Sequence, residues 1–380
     1  MKPIYLDHNA TTAVDPEVFE AMRPYFLSPG NAESRHTAGR SARRAWDDAR
    51  DTVARILGAD PSEVIFTSGG TEANNLAVFG LAGAEASPAH VISSPIEHPA
   101  VAEPVARLET AGFAVDRPAV NAEGLADADA TSRLVRPDTR FVTLMLANNE
   151  TGALQPLREL AAGVAPVPVH TDAVQAVGRI PVDFRSLGVA TLAASAHKFH
   201  GPVGVGFLLV RSGLKLGSRL FGGGQQQGRR PGTVAVPLAV GLASALELWR
   251  READERVARL ARLRDRLERG LVGALGRDRV VRNGPESDAL RLPQTLNVGF
   301  PGLDGDALLI RLDLAGVYAS LGSACASGSP RPSPTLVAMR VPDDRLRSSV
   351  RFSLGAGTTE AEVDDALARV IGAVSAGAGV

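Results

Sequence analysis

Two stretches decide how this chain reads. The first is Val167-Pro168-Val169-His170-Thr171-Asp172-Ala173-Val174-Gln175, and the second is Ser195-Ala196-His197-Lys198-Phe199-His200-Gly201-Pro202. The first reads as a short buried strand whose end presents an aspartate. The second follows another short apolar run, Val189 to Ala194, and delivers a lysine beside serine and histidine. The chain has three lysines, Lys2, Lys198 and Lys215, and draws the rest of its positive charge from arginine. Only Lys198 lies in a Ser/His/Gly cluster, which sets it apart from a surface lysine in a polar loop.

Working outward, short apolar runs alternate with helical patterns. Asp15-Pro16-Glu17 pairs an N-cap with proline at the first helical position. A helix over roughly 38–57 puts Ala42, Ala45, Trp46, Ala49, Val53 and Ile56 on one face. Val64-Ile65-Phe66-Thr67 reads as a strand running through Ser68-Gly69-Gly70-Thr71-Glu72 into a helix. Free N–H groups and the helix dipole make such a junction an anion site, although a tight turn that needs glycine reads equally well. Strands are also expected at Val91–Ser93, Phe113–Val115, Arg140–Leu146 and Val205–Val210. Continuous apolar strands alternating with helices define an α/β protein with a mostly parallel sheet, and polar groups gather at its strand ends.

Phe221 to Thr233 is a glycine- and glutamine-rich loop with a basic tip, and its composition also fits a linker. About 236–275 follows as a long helix or helix pair, with Leu260, Leu263, Leu267 and Leu271 in an apolar stripe. The remainder reads α+β, with strands near Leu296–Phe300 and Val350–Leu354 and helices over Asp304–Ala315 and Thr359–Val374. We therefore expect a large domain over 15–260 and a smaller α+β domain made of 1–14 and 261–380.

Composition narrows the function. Net charge is −1, so nothing global favours nucleic acid. No apolar run approaches a membrane span. The first residues lack the apolar core of a signal peptide, and the single cysteine, Cys325, excludes an intrachain disulfide and a cysteine-cluster metal site. The expectation is a cytoplasmic protein with no metal. Within these bounds, an aspartate at one strand end and a lysine at another point to pyridoxal 5'-phosphate (PLP). A lysine amine forms a Schiff base with it, and a carboxylate pairs with its pyridinium nitrogen.

The motifs together resemble the cysteine desulfurases, PLP enzymes of the class V aminotransferase group with fold type I. The match runs in order through Tyr5-Leu6-Asp7, Thr67 to Glu72, Glu97-His98-Pro99-Ala100-Val101, Asn148-Asn149-Glu150-Thr151-Gly152, Asp172 to Gln175 and Ser195 to Lys198. It continues through Gly222 to Gln225, Gly322-Ser323-Ala324-Cys325 and Arg351 to Gly355. Each is weak alone; their order carries the resemblance.

The resemblance implies that Lys198 holds PLP, Asp172 pairs with the ring nitrogen, Gln175 bonds the ring hydroxyl and His98 stacks on the ring. Gly70, Thr71, Ser195 and His197 bind the phosphate, joined by Thr233 from the other subunit of a homodimer. Asn149 and Arg351 hold the substrate carboxylate. Cys325 is the nucleophile that takes sulfur from L-cysteine, with His98 as proton acceptor, and passes it to an acceptor or scaffold protein. The loop around Cys325 resembles the long-loop, iron–sulfur-cluster branch. Ala32-Glu33-Ser34, Val203 and Leu321 depart from the family pattern, and three prolines follow Cys325. A class V small amino-acid aminotransferase or a selenocysteine lyase would share everything around Lys198.

Overall fold

The strand that presents Asp172 lies at the centre of a seven-stranded sheet. The computed structural model describes residues 2–83, 88–322 and 332–377. Its strands in chain order are β1 (Ile4–Tyr5), β2 (Val64–Thr67), β3 (His90–Ser93), β4 (Ala114–Asp116), β5 (Thr139–Thr143) and β6 (Val169–Asp172). They continue with β7 (Thr191–Ser195), β8 (Gly206–Val210), β9 (Val281–Arg282), β10 (Thr295–Gly299), β11 (Val317–Tyr318) and β12 (Ser349–Ser353). The large sheet has the order β2-β8-β7-β6-β5-β3-β4, and β8 alone runs against the others. Every residue of β6, β7 and β8 is buried, as expected of strands covered on both faces.

The helices begin and end where local chemistry directs. Asp15 caps the helix Pro16–Leu27 by accepting from the Glu17 amide at 2.8 Å. The helix Thr37–Leu57 stops at Gly58, whose φ of +65° is left-handed. The run expected as one strand from Arg140 to Leu146 leaves strand geometry after Thr143. Its backbone stays tied to β6, with Leu144 N–H donating to His170 O and Leu146 N–H to Asp172 O. That continuation delivers Met145, Ala147 and Asn149 beside Asp172.

Two apolar cores meet on one element. The segment expected as a helix or helix pair is a single helix of 40 residues, Val236–Leu275, about 60 Å long. Its first half, including Leu242, Leu246 and Leu248, packs into the core under the large sheet. Its second half, through Leu260, Leu263, Leu267 and Leu271, packs with Val298, Phe300, Val350, Phe352 and the helix Glu360–Gly377. This second core backs the antiparallel sheet β12-β10-β9 and takes in Ile4 and Leu6 from the N-terminus.

The loop from Phe221 to Thr233 is anchored, unlike a plain linker. Gln226 is buried, accepts from Phe66 N–H at 2.7 Å and donates to Phe66 O at 2.8 Å. β2 is an edge strand, so this side chain satisfies backbone groups that no neighbouring strand pairs with. Among the described residues no helix is long and apolar enough to cross a membrane.

Candidate active site

The carboxyl ends of β6 and β7 and the N-terminus of the helix Gly70–Ala82 enclose a cavity of about 240 Å³. Gly70, Thr71, His98, Asn149, Asp172, Gln175, Ser195, His197 and Lys198 all line it, so residues far apart in sequence share one wall. Thr233 is exposed and does not line the cavity of its own chain. Cys325 lies outside the described residues.

Lys198 stands at the end of a short turn after β7. Its Nζ donates to Asn9 O and Ala10 O, both at 2.7 Å. Asp172 is buried at the end of β6, with Oδ1 accepting from Val174 N–H at 2.9 Å and Oδ2 from Asn74 Nδ2 at 2.6 Å. Gln175 donates through Nε2 to Asn9 O at 2.9 Å, which leaves its Oε1 buried and unpaired. The turn between β2 and the helix Gly70–Ala82 needs small residues. Gly69 adopts φ +157° and ψ −177°, and a Cβ on Gly70 would stand 2.7 Å from Val174 Cγ2. The result is a helix N-terminus whose first-turn amides have no intrahelical acceptor, with the Ser195 side chain beside it.

His98 caps the helix Pro99–Thr110, its Nδ1 accepting from Ala100 N–H at 3.1 Å. That acceptance puts the proton of the neutral ring on Nε2. Burial lowers its pKa, with Asp172 opposing and Lys198 adding to the effect. As a proton acceptor, His98 must first release Ala100; as capped, it is a donor. His197 is also held neutral, at about 4, by burial and then by Lys198 and Arg179. Its Nδ1 lies 3.1 Å from Thr11 Oγ1.

Arg351, on β12, is buried beside the cavity without lining it. Nη1 donates to Asn149 O at 3.0 Å and Nη2 to Asp7 Oδ1 at 2.6 Å, while Nε is unpaired. The guanidinium plane is thus fixed by two acceptors before any ligand arrives. Among the described residues no cluster of His, Cys, Asp and Glu could hold a metal ion.

Sequence reading missed Asn74 as a wall residue. It lies four positions beyond Gly70 on the same helix, and that spacing places it on the face of Gly70 and Thr71. Glu97 was also passed over. It is buried, accepts from Thr143 Oγ1 at 3.0 Å, and leaves Oε2 unpaired. Burial, and then the charge of Asp172, push it up to about 8. In an unfolded chain the proton leaves near ~4.3. Because the folded value is the higher one, its contribution to stability is complete in acid and is lost as pH rises towards about 8. The stability of Glu97→Gln relative to wild type should therefore grow across that window, at most on the order of 1 kcal/mol per pH unit, and then level off. Denaturant titrations of both proteins at acidic, neutral and alkaline pH check this; a difference independent of pH contradicts it.

A lysine and an ionisable carboxylate at adjacent strand ends, facing a helix N-terminus, form a recognisable site class. The chain belongs to the Aminotransferase class-V family, whose pattern matches residues 4–366. Curated relatives within it are named cysteine desulfurases. Cysteine desulfurase IscS of Dictyoglomus turgidum is 42% identical over 377 residues, covering 97% of this chain and 95% of that protein. The cysteine desulfurase of Trichormus azollae is 44% identical over 367 residues, covering 96% of this chain and 91% of the other. Among solved structures, a NifS-like protein superposes with a TM-score of 0.91 at 36% identity, covering 98% of this chain and 99% of its own. SspA in complex with cysteine matches with a TM-score of 0.79 at 32% identity, over 94% of this chain and all of its own (100%).

Proposed function

We propose that this protein is a PLP-dependent cysteine desulfurase, which converts L-cysteine to L-alanine and leaves the sulfur on Cys325. The observation that carries the cofactor assignment is the cavity in which Lys198 Nζ, the Asp172 carboxylate and the unpaired Gln175 Oε1 meet the N-terminus of Gly70–Ala82. A primary amine, a carboxylate, a hydroxyl acceptor and a set of amide donors are the groups that PLP needs. Lys198 would hold it covalently, Asp172 would pair with the ring nitrogen, Gln175 Oε1 would accept from the ring hydroxyl, and His98 would lie on the ring face. Gly70, Thr71, Ser195 and His197 would take the phosphate, with Thr233 of the partner subunit in a homodimer. Bound there, PLP supplies an electron sink for charge developing at the substrate Cα.

The protein's own groups do the rest. Arg351, preset by Asp7 and the Asn149 carbonyl, holds the substrate carboxylate together with Asn149. The Cys325 thiolate forms a bond to the substrate sulfur as the carbon–sulfur bond breaks. One thiol and one cysteine become one persulfide and one alanine, so the step needs no outside oxidant. A free thiol ionises near ~8.5, so the assembled site must favour the thiolate. His98 exchanges protons at Nε2 and can act as a base only when its helix cap opens. The persulfide then passes to an acceptor or scaffold protein. Residues 15–260 form the cofactor-binding domain of this reading, with 1–14 and 261–380 as the smaller one, in a cytoplasmic enzyme whose lone thiol stays reduced.

The experiment is to incubate the PLP-loaded protein with L-cysteine and a reductant and to quantify alanine and sulfide. Equal amounts of the two, independent of any keto acid, are expected. Alanine-free transfer of the amino group to an added keto acid would assign the site to an aminotransferase.

A further inference from the structure

Behind Asp172 a line of buried polar side chains runs away from the cavity and into the sheet. Asn74, His170 and Thr191 are each fully buried. His170 and Thr191 face each other across β6 and β7, with His170 Nδ1 and Thr191 Oγ1 2.8 Å apart. His170 Nε2 lies 3.1 Å from Asn74 Oδ1, and Asn74 Nδ2 donates to Asp172 Oδ2 at 2.6 Å.

The order of donors is forced. A carboxylate only accepts, so the amide nitrogen of Asn74 must face Asp172 and its oxygen must face His170. His170 then carries its proton on Nε2, and its Nδ1 accepts from the Thr191 hydroxyl. Every bond in the line points toward Asp172. Burial holds His170 at about 3, far below its ordinary range, so the ring is neutral and brings no proton to pass inward.

We propose that Asn74 and His170 are positioning residues that fix the rotation of the Asp172 carboxylate and keep it ionised toward the bound cofactor. The proposal rests on the assignment of PLP to this cavity. Among the described residues, Asn74 Nδ2 is a donor to Oδ2. Oδ1 is held by the Val174 amide; Glu97 and His98 feel the charge of Asp172, and His197 and Lys198 share the cavity wall with it. Glu97 is a buried acid that keeps its own proton beside Asp172. A donor line that ends on Oδ2 favours the carboxylate over the acid, since a carboxylate stripped of a donor in a buried site takes up a proton more readily.

The test uses apoprotein reloaded with PLP. Asn74→Leu keeps the volume and removes both hydrogen bonds. It should bind PLP about tenfold more weakly or worse, and the acid-side change in the bound cofactor's absorbance should move up by about one pH unit. His170→Gln keeps a donor toward Asn74 and should stay near wild type in both readouts, whereas His170→Leu should follow Asn74→Leu. In wild type, nitrogen NMR of labelled histidine should show the His170 proton on Nε2. If Asn74→Leu does not fold, the two His170 variants decide the matter. Variants that bind PLP with wild-type affinity and an unmoved pH profile overturn the proposal. A wild-type protein that takes up no PLP overturns instead the cofactor assignment on which it rests.

Discussion

Lys198→Ala should purify without covalently held cofactor and should produce no measurable alanine from cysteine. Among the described residues Lys198 is the only lysine on the cavity wall, and its Nζ is fixed by Asn9 O and Ala10 O. Alanine leaves those carbonyls and the Asp172 end of the site without a covalent anchor. Loss of a covalent catalyst costs several orders of magnitude in rate, on the order of 10³ or more. Borohydride treatment followed by peptide mapping checks the attachment. In wild type, the reduced label should fall on the peptide containing Lys198. A Lys198→Ala protein that still gives a reducible cofactor adduct, on Lys215 for instance, would place the site elsewhere.

The second large effect is expected at Cys325. Cys325→Ser should bind PLP and L-cysteine as wild type does, because those contacts belong to Lys198, Asp172, Asn149 and Arg351. It should release no alanine, since a serine hydroxyl is a poor nucleophile toward sulfur and forms no persulfide. The spectral change on adding cysteine should therefore survive while turnover is lost, again by on the order of 10³ or more. Alanine release by Cys325→Ser at the wild-type rate would remove Cys325 from the reaction and favour the aminotransferase reading.

Much of the arrangement is legible in the chain because its signals are local. The fully buried strand β8 is a short continuous apolar run, β7 has an apolar centre, and the Asp15-Pro16 pair marks its helix start with no tertiary help. Asp172 and Lys198 advertise themselves because each is a charged residue at or just beyond the end of a short buried strand. The features that escape a linear reading depend on distant partners. Asn74 sits in a helix that is otherwise apolar, and its meaning appears only when β6 brings Asp172 and His170 against it. Asp7 and Arg351, which form an ion pair beside the cavity, are 344 positions apart. Gln226, flanked by glutamines and glycines, looks like linker until the edge of β2 supplies it with a donor and an acceptor. Nothing in periodicity tells one helix of 40 residues from a helix pair, because the apolar face serves a different core in each half.

The electrostatic character of the site was also hidden from sequence. His98 and His197 would read as titrating near neutrality, yet burial keeps both neutral. Glu97 would read as an anion, yet burial and Asp172 keep its proton in place.

The central claim is that sulfur leaves L-cysteine and becomes bound to Cys325. The direct measurement is a single turnover of the PLP-loaded protein with sulfur-labelled L-cysteine, without reductant, followed by peptide mass spectrometry and alanine quantification. One labelled sulfur on the peptide containing Cys325, for each alanine formed, is the result expected. Label absent from that peptide while alanine accumulates, or amino-group transfer with no protein-bound sulfur, would contradict it.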